Sequence, residues 1–198
     1  MKRYFYILIT LLFILLFSSC DEDKIPSKIF FSQENSFLSP KTTDFDLGIT
    51  FASPIKWDLR NTEISKRIEG RGNTKGFDGD FIFSPSYVYF DDSTNSVLSL
   101  GKVIPPDSLV NNPSVMNYYS QILVSKKSIE TDYEIDQFSK DGIKFTQFSI
   151  DRGTIVSKRI VFQNKFNEII QFEYTSRKNF FDTEYQKILQ SIGSIKLL

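Results

Sequence analysis

Acidic side chains are the residues of this sequence best suited to chemistry. A glycan hydrolase, for example, needs two carboxyl groups roughly 5–10 Å apart across a cleft. Sequence spacing places no two acidic residues opposite each other, and turn chemistry explains Asp91-Asp92 without bound calcium. We therefore predict no catalytic and no metal-binding residue. A carboxylate-based glycan hydrolase stays as an alternative, with its pair drawn from five candidates: Asp78, Asp80, Asp91, Asp92 and Glu134.

Histidine is absent from the 198 residues, and Cys20 is the only cysteine. This composition excludes Ser-His-Asp and Cys-His nucleophilic machinery, His-ligated zinc or haem, and a disulfide within the chain. The formal net charge is zero, and removing Lys2 and Arg3 leaves 22 basic and 24 acidic side chains, a net of −2. Such a charge gives no basis for nucleic-acid binding. We expect a protein that is not an enzyme, with no cofactor and no nucleic-acid partner.

The N-terminus has the organisation of an export signal. Met1-Lys2-Arg3 is followed by an apolar run, Tyr4 to Phe17, that only Thr10 interrupts. This run is shorter than the roughly 20 residues of a transmembrane helix and is typical of a signal-peptide core. Ser18-Ser19-Cys20 then resembles the bacterial lipobox, in which small residues precede a cysteine. The resemblance implies cleavage before Cys20 and lipidation of Cys20; the alternative is a non-lipidated signal peptide.

The acidic run Asp21-Glu22-Asp23 follows the cysteine directly. It resembles the surface-export signal of Bacteroidota lipoproteins, whereas in enterobacteria Asp after the cysteine resembles an inner-membrane retention signal. A plain solvated tether is the third reading. Abundant Lys, Asn, Ile, Phe and Ser indicate an AT-rich genome and favour the first. We therefore predict an outer-membrane lipoprotein of the cell envelope, exposed at the surface, with signal peptide 1–19 and lipidated cysteine and tether 20–43.

The last third of the chain predicts an antiparallel meander. Residues that alternate between apolar and polar with a period of two indicate half-buried strands. Asp141-Gly142 is a strong turn signal. Lys158 intrudes on the apolar face of its strand, and a change of parity predicts a β-bulge near Thr146-Gln147. The four predicted strands are Tyr133–Phe138, Ile143–Ile150, Val156–Phe162 and Ile170–Tyr174.

A helix closes the meander. Its apolar residues recur at helical spacing and predict one face buried against the strands. Asn179 is the predicted N-cap and Gly193 the predicted C′ residue. Gln186 and Gln190 fall on the predicted exposed side. The predicted buried face consists of Phe181, Tyr185, Ile188, Leu189 and Ile192.

The middle of the chain predicts further strands and helices. Phe45 to Phe51 alternates as one strand, and Trp57 is predicted to be a core or an edge anchor. The glycine-rich loop Gly70–Asp80 matches neither phosphate-binding spacing nor an EF-hand, so it is predicted to be a surface loop. The remaining predicted elements are strands at Ile29–Phe31, Tyr87–Phe90 and Val97–Val103, and helices at Asn61–Ile68 and from Asn112-Pro113.

This order of elements is similar to the PsbP-like fold, which PsbP proteins and DcrB-type bacterial lipoproteins share. The stretches that carry the resemblance are Ile49 to Trp57, Asn167 to Tyr174 and Ile188 to Ile195. The resemblance implies an α+β domain over residues 44–198, with an antiparallel sheet of six to seven strands flanked by helices. It also implies a binding or assembly role, because most family members serve as binding or assembly factors.

Together these features predict a membrane-anchored lipoprotein that acts as a non-enzymatic binding or assembly module in the cell envelope. Its partners would be the membrane, through Cys20, and an envelope protein. An envelope immunity or inhibitor protein is the alternative, besides the hydrolase.

Overall fold

The computed structural model describes residues 36–60, 81–110, 112–125 and 132–198. Several predicted features therefore lie outside the described residues. They are the signal peptide, Cys20, Asp21-Glu22-Asp23, the strand Ile29–Phe31, the helix Asn61–Ile68 and the loop Gly70–Asp80.

A seven-stranded antiparallel sheet forms the centre of the fold. Its strands are β3 (Asp58–Leu59), β4 (Ile82–Asp91), β5 (Ser96–Ile104), β6 (Asp132–Lys140), β7 (Ile143–Asp151), β8 (Ile155–Gln163) and β9 (Ile169–Arg177). Across the sheet the order is β3-β4-β5-β9-β8-β7-β6. Strands β6 to β9 are consecutive neighbours, which confirms the predicted meander, and β9 pairs on its other side with β5.

Two helices and a small second sheet complete the described architecture. The helices are α1 (Val115–Ser125) and α2 (Lys178–Gly193), with a single 3₁₀ turn at Asp107–Leu109. The second sheet has the order β1-β2-β10, from β1 (Thr42–Asp44), β2 (Ile49–Phe51) and β10 (Lys196–Leu197). These elements confirm the predicted α+β class and the predicted strand number.

The large sheet is buried on both faces, because each face carries its own apolar core. One face, here the α2 face, packs against α2 and the small sheet, and Phe172 meets Phe51 edge to face at 5.7 Å between ring centroids. The other, the α1 face, packs against α1 through Tyr119 and Leu123. The Tyr119 hydroxyl donates to Gln171 Oε1 at 2.6 Å, which fixes α1 on β9.

Burial on both faces explains why the predicted β-bulge near Thr146-Gln147 is wrong. β7 pairs with β6 and β8 without a break in register. Its apolar parity changes because Phe145 belongs to the α2-face core and Phe148 to the α1-face core. The register shift lies instead in β4, between Pro85 and Tyr87.

The predicted strand from Phe45 to Phe51 is right only for Ile49–Phe51, which forms β2, because a turn occupies its first half. Asp44 Oδ1 accepts the N–H of Leu47 at 2.8 Å, and Gly48 has φ +65°. The chain thus reverses between β1 and β2, and Phe45 stands 78% exposed at the tip of the turn. A local carboxylate–backbone bond and a left-handed glycine therefore override the alternating pattern.

The predicted ends of α2 need correction. The helix begins at Lys178, with Arg177 rather than Asn179 as its N-cap, and Gly193 is its last helical residue rather than its C′ residue. At the C-terminus the side chain of Ser194 takes the place of a glycine cap. Its Oγ donates to Ser191 O at 2.6 Å and accepts the N–H of Ala52 at 2.8 Å.

The buried face of α2 is wider than the predicted stripe. Gln190, predicted to be exposed, is only 4% exposed, whereas Leu189 is half-buried. Ser191 and Glu184 are buried because the segment after β2 lies against the helix, with Ala52 O accepting from Ser191 Oγ at 2.6 Å. Helix α1, predicted from Asn112, begins at Val115, and Asn112 Oδ1 accepts the N–H of Ser114 in the preceding turn.

Candidate functional site

The predicted anchor and sorting residues, Cys20 and Asp21-Glu22-Asp23, lie outside the described residues, as do Asp78 and Asp80. The three remaining candidate carboxylates are not brought together. Asp91 accepts from the backbone N–H and the hydroxyl of Ser93 in the β4–β5 turn, at 2.8 and 2.6 Å, and Asp92 pairs with Arg60. Glu134 is on β6, five strand spacings from β4, which is about 24 Å. Asp91 and Glu134 therefore cannot flank one glycosidic bond.

A polar cluster lies on the α2 face at the β6–β8 side of the sheet. We define this Lys158 cluster as five cross-strand neighbours. The register places Glu134 beside Ser149 and Ser149 beside Lys158, and places Asp136 beside Gln147. The cluster is notable because its members are polar, whereas the rest of the α2 face of the sheet carries mainly apolar side chains. They are Glu134, Asp136, Gln147, Ser149 and Lys158.

Lys158 is the buried cation of this cluster, only 8% exposed. Its Nζ donates to Ser149 Oγ at 2.9 Å and lies 5.3 Å from the ring centroid of Tyr185 and 6.0 Å from that of Phe181. Burial lowers the pKa of Lys158, and the negative charges of Asp136 and Glu134 oppose that shift. The N-terminal half of α2 thus covers a charged amine.

The neighbouring amide is incompletely satisfied. Gln147 is 3% exposed, and its Nε2 lies 3.4 Å from Asp136 Oδ2, at the long end of the hydrogen-bond range. Its Oε1 is buried without a hydrogen-bond partner among the described residues. Burying an unpaired polar atom costs about 1–3 kcal/mol. The buried charge of Lys158 and the unpartnered acceptor of Gln147 therefore lie at the same side of the sheet.

In the sequence, Lys158 interrupts an apolar pattern, but the pattern alone does not predict a site there. The signal in the sequence that indicates this site is the apolar–polar alternation of the strand, which puts Lys158 at a core position. A lysine at a core position needs polar neighbours. Those neighbours follow only from the strand register, which the β6–β7 and β7–β8 turns set. From the sequence, Glu134 is only one of several scattered candidate carboxylates.

A second buried polar group joins the segment after β2 to α2. The indole N–H of Trp57 donates to Glu184 Oε2 at 3.1 Å, and Lys187 Nζ donates to Glu184 Oε1 at 2.8 Å. Glu184 is 1% exposed, and these two hydrogen bonds satisfy both of its carboxylate oxygens inside the core. This network confirms Trp57 as a core residue and gives it a structural role.

Exposed apolar side chains gather at the opposite end of the sheet from the β4–β5 turn. The β1–β2 turn, the β8–β9 turn and the C-terminus meet there, with Asn164 Nδ2 donating to Leu47 O at 3.0 Å and Leu198 N–H donating to Gly48 O at 3.0 Å. Clustered exposed apolar groups mark interaction surfaces more often than scattered ones do. This apolar end consists of Phe45, Phe166, Leu197 and Leu198.

A shallow open groove of about 470 Å³ lies where the β7–β8 turn meets the start of α2. Lys178 lines it but already pairs with Asp151 at 2.6 Å. Over the described ranges, no helix is long and apolar enough to span a membrane. The same residues include no group of three or more acidic, cysteine or histidine side chains placed to hold a metal ion.

The sequence matches no family model and no curated protein. Among solved structures, the chain is similar to the solution structure of cyanobacterial PsbP (CyanoP) from Synechocystis sp. PCC 6803. The two share 14% sequence identity with a TM-score of 0.47, over 86% of this chain and 98% of that one.

Proposed function

We propose that this protein is a bacterial lipoprotein that serves as a non-enzymatic binding or assembly module in the cell envelope. The observation that carries the proposal is the N-terminal sequence, in which an apolar run of signal-peptide length ends at Phe17-Ser18-Ser19-Cys20. That Cys20 is the single cysteine of the chain supports a dedicated role for it. Residues 1–19 are then removed, and Cys20 becomes the mature N-terminus.

Lipid at Cys20 holds the domain on a membrane. Each buried CH₂ group contributes about 0.8 kcal/mol, so one acyl chain binds reversibly while two or more anchor stably. A triacylated Cys20 therefore keeps the domain at the membrane throughout its lifetime. The acidic run Asp21-Glu22-Asp23 sorts it to the outer membrane and the cell surface.

Binding rather than catalysis is supported by the chemistry that the chain lacks and by the surfaces it presents. The sequence has no histidine, and the described candidate carboxylates Asp91 and Glu134 lie on strands that are about 24 Å apart across the sheet. The exposed acidic side chain of Glu134, at the outer side of the Lys158 cluster, and the apolar end of the sheet are two chemically different exposed features. A binding module needs such surfaces and needs no facing carboxylates.

Crosslinking in intact cells, followed by mass spectrometry, tests the binding role. We expect the wild type to crosslink to one discrete envelope protein and Cys20→Ala to lose that crosslink with its membrane position. Capture of a secreted toxin would favour the immunity or inhibitor alternative. Release of glycan fragments by the purified protein would contradict the non-enzymatic role.

A further inference from the structure

The apolar end of the sheet exposes bulky side chains from two turns that hold each other in place. Phe45, in the β1–β2 turn, is 78% exposed, and Phe166, in the β8–β9 turn, is 53% exposed. The buried Asn164 accepts the N–H of Phe166 at 2.9 Å with its Oδ1 and donates to Leu47 O at 3.0 Å with its Nδ2. A Cβ at Gly48 would lie 3.0 Å from Phe166 Cε2, so the Phe166 ring lies against the β1–β2 turn. The two turns therefore form one surface that keeps large apolar groups in water.

Two lysines border this surface. Lys165 is exposed beside Phe166, with its Nζ 5.3 Å from the centroid of that ring, and Lys196 is exposed directly before Leu197 and Leu198. Neither lysine belongs to an ion pair within the described residues. Apolar side chains beside free lysines suit the headgroup layer of a phospholipid bilayer, because the amines reach phosphates while the stems stay among apolar groups.

The acids nearest to this surface leave the lysines unopposed. Glu168 pairs with Lys102 at 2.7 Å, and Asp141, in the β6–β7 turn, pairs with Lys140 at 2.7 Å. Asp46 is exposed beside Phe45 and belongs to no ion pair within the described part of the chain. Lipid phosphates can therefore approach the lysine side of the apolar end without meeting an unpaired carboxylate in the β8–β9 turn.

The proposed anchor brings this surface within reach of a membrane. The described chain begins at residue 36, and a bridge between Leu38 and Pro54 fixes its entry into the domain. Leu38 lies within about 25 Å of Phe45, because seven residues span no more. Residues 21–35 extend to about 50 Å, so lipid at Cys20 permits Phe45 to touch the bilayer. Tethering also keeps the apolar end near lipid at a high local concentration, at which a weak contact is well populated.

The small area of the apolar end favours lipid over a second copy of the chain. A stable protein–protein interface buries about 800 Å² on each partner, more than four partly exposed side chains supply. A membrane contact needs no such area, because the acyl chains at Cys20 already hold the protein at the bilayer. Aromatic side chains also favour the level of the headgroups.

We propose that the apolar end of the sheet is a second membrane contact, seated in the headgroup layer of the phospholipid bilayer that holds Cys20. Phe45 and Phe166 enter the boundary between headgroups and acyl chains, and Lys165 and Lys196 meet lipid phosphates. The contact turns the β8–β9 turn toward the membrane and the β7–β8 turn away from it. This inference rests on the proposed lipid anchor and adds the orientation of the domain.

Tryptophan quenching by spin-labelled lipid tests the contact in the lipidated mature protein, reconstituted into vesicles of phosphatidylethanolamine and phosphatidylglycerol. Trp57, the only native tryptophan, is 4% exposed and gives the same background in every variant. Phe45→Trp puts a reporter at the apolar end. Ile155→Trp is the control, because Ile155 is 40% exposed at the opposite end of β8. We expect a label near the headgroups to quench the added fluorescence of Phe45→Trp at least threefold more than that of Ile155→Trp.

A second pair of variants tests the apolar surface itself. Phe166→Asp, added to Phe45→Trp, should reduce the quenching at least twofold, because it puts a charge where the acyl chains begin. Val124→Asp, at a 45% exposed position on α1, should leave the quenching unchanged. Unchanged emission from Trp57 in Phe166→Asp without the reporter shows that the variant is folded.

The outcomes separate the contact from the anchor. Flotation of the wild type with the vesicles, together with equal quenching at the two reporters or stronger quenching of Ile155→Trp, would overturn the contact alone. A blue-shifted Phe45→Trp that self-associates and is not quenched would also overturn it and make a second copy the occupant. Failure of the wild type to float would overturn the anchor and the contact together.

Discussion

Lys158 carries a positive charge into the interface between β8 and α2. Its amine keeps one hydrogen bond to Ser149 and two aromatic neighbours, which replace only part of its hydration. Burial lowers its pKa from the ordinary value of 10.5. The unfolded state therefore binds more protons between the folded pKa and 10.5, so stability rises with pH across that window.

Replacing this amine tests the electrostatic account. We expect Lys158→Met to raise the free energy of unfolding at pH 7 by about 1 kcal/mol, because methionine fills the same space without a charge to desolvate. The difference in unfolding free energy between the variant and the wild type should narrow as pH rises toward 10.5. Denaturant titrations from pH 7 to 10.5 measure this difference and its pH dependence. Lys144→Met, on an exposed position, should stay within about 0.5 kcal/mol. A destabilised Lys158→Met, or a constant gap, would contradict the account.

At the scale of elements, α2 holds its place mainly through Ile188 and Ile192, both buried in the core shared with Phe172 and Tyr174. We expect Ile188→Ala to cost roughly 2–5 kcal/mol, since it removes buried methylenes and leaves a cavity. Gln186→Ala, on the exposed side of the same helix, should change stability by no more than about 0.5 kcal/mol. Equal melting of the two variants would show that α2 is not docked on the sheet.

The β4–β5 pair contains a close approach that only glycine allows. A Cβ at Gly101 would lie 2.0 Å from Ser84 O, beside the register shift of β4. Backbone atoms cannot yield as a side chain can, so we expect Gly101→Ala to cost about 3 kcal/mol or more. Gly142→Ala, where φ is +80° but space is open, should cost only about 1–2 kcal/mol. Thermal unfolding measures the stability of both variants. A larger loss of stability in Gly142→Ala than in Gly101→Ala would contradict the packing account.

What could be predicted at this scale followed from local signals. Alternation and the Asp141-Gly142 turn were enough for the meander, because hairpins form from adjacent residues. The errors arose where distant parts of the chain decide. The apolar parity of β7 changes at Phe148 because α1 covers the second face of that strand. Gln190 is buried although the helical spacing of the apolar residues predicts that it is exposed. Neither the register nor the Lys158 cluster follows from spacing along one strand.

At the scale of the whole molecule, residues 21–35 separate the predicted anchor from the described domain. A segment of this length reaches at most about 50 Å when fully extended. The described domain could therefore meet a partner near the membrane surface or up to about 50 Å from it. The proposed sorting signal, and not the fold, would decide on which membrane and on which side of it the domain lies.

Sorting makes a separate prediction. Replacing Asp21, Glu22 and Asp23 together by alanine should reduce digestion of the protein by protease added to intact cells, because the variant lacks the proposed export signal. Lipidation should persist in this variant. Unchanged digestion would show that the acidic run is a plain solvated tether.

Metabolic labelling with a fatty-acid analogue tests the central claim, the lipid anchor at Cys20, most directly. The analogue should label the wild type and leave Cys20→Ala unlabelled, because no other cysteine exists to accept the lipid. The wild type should remain with membranes after a high-salt wash, since acyl chains rather than charges hold it. Equal labelling of the two proteins, or no labelling of the wild type, would contradict the account.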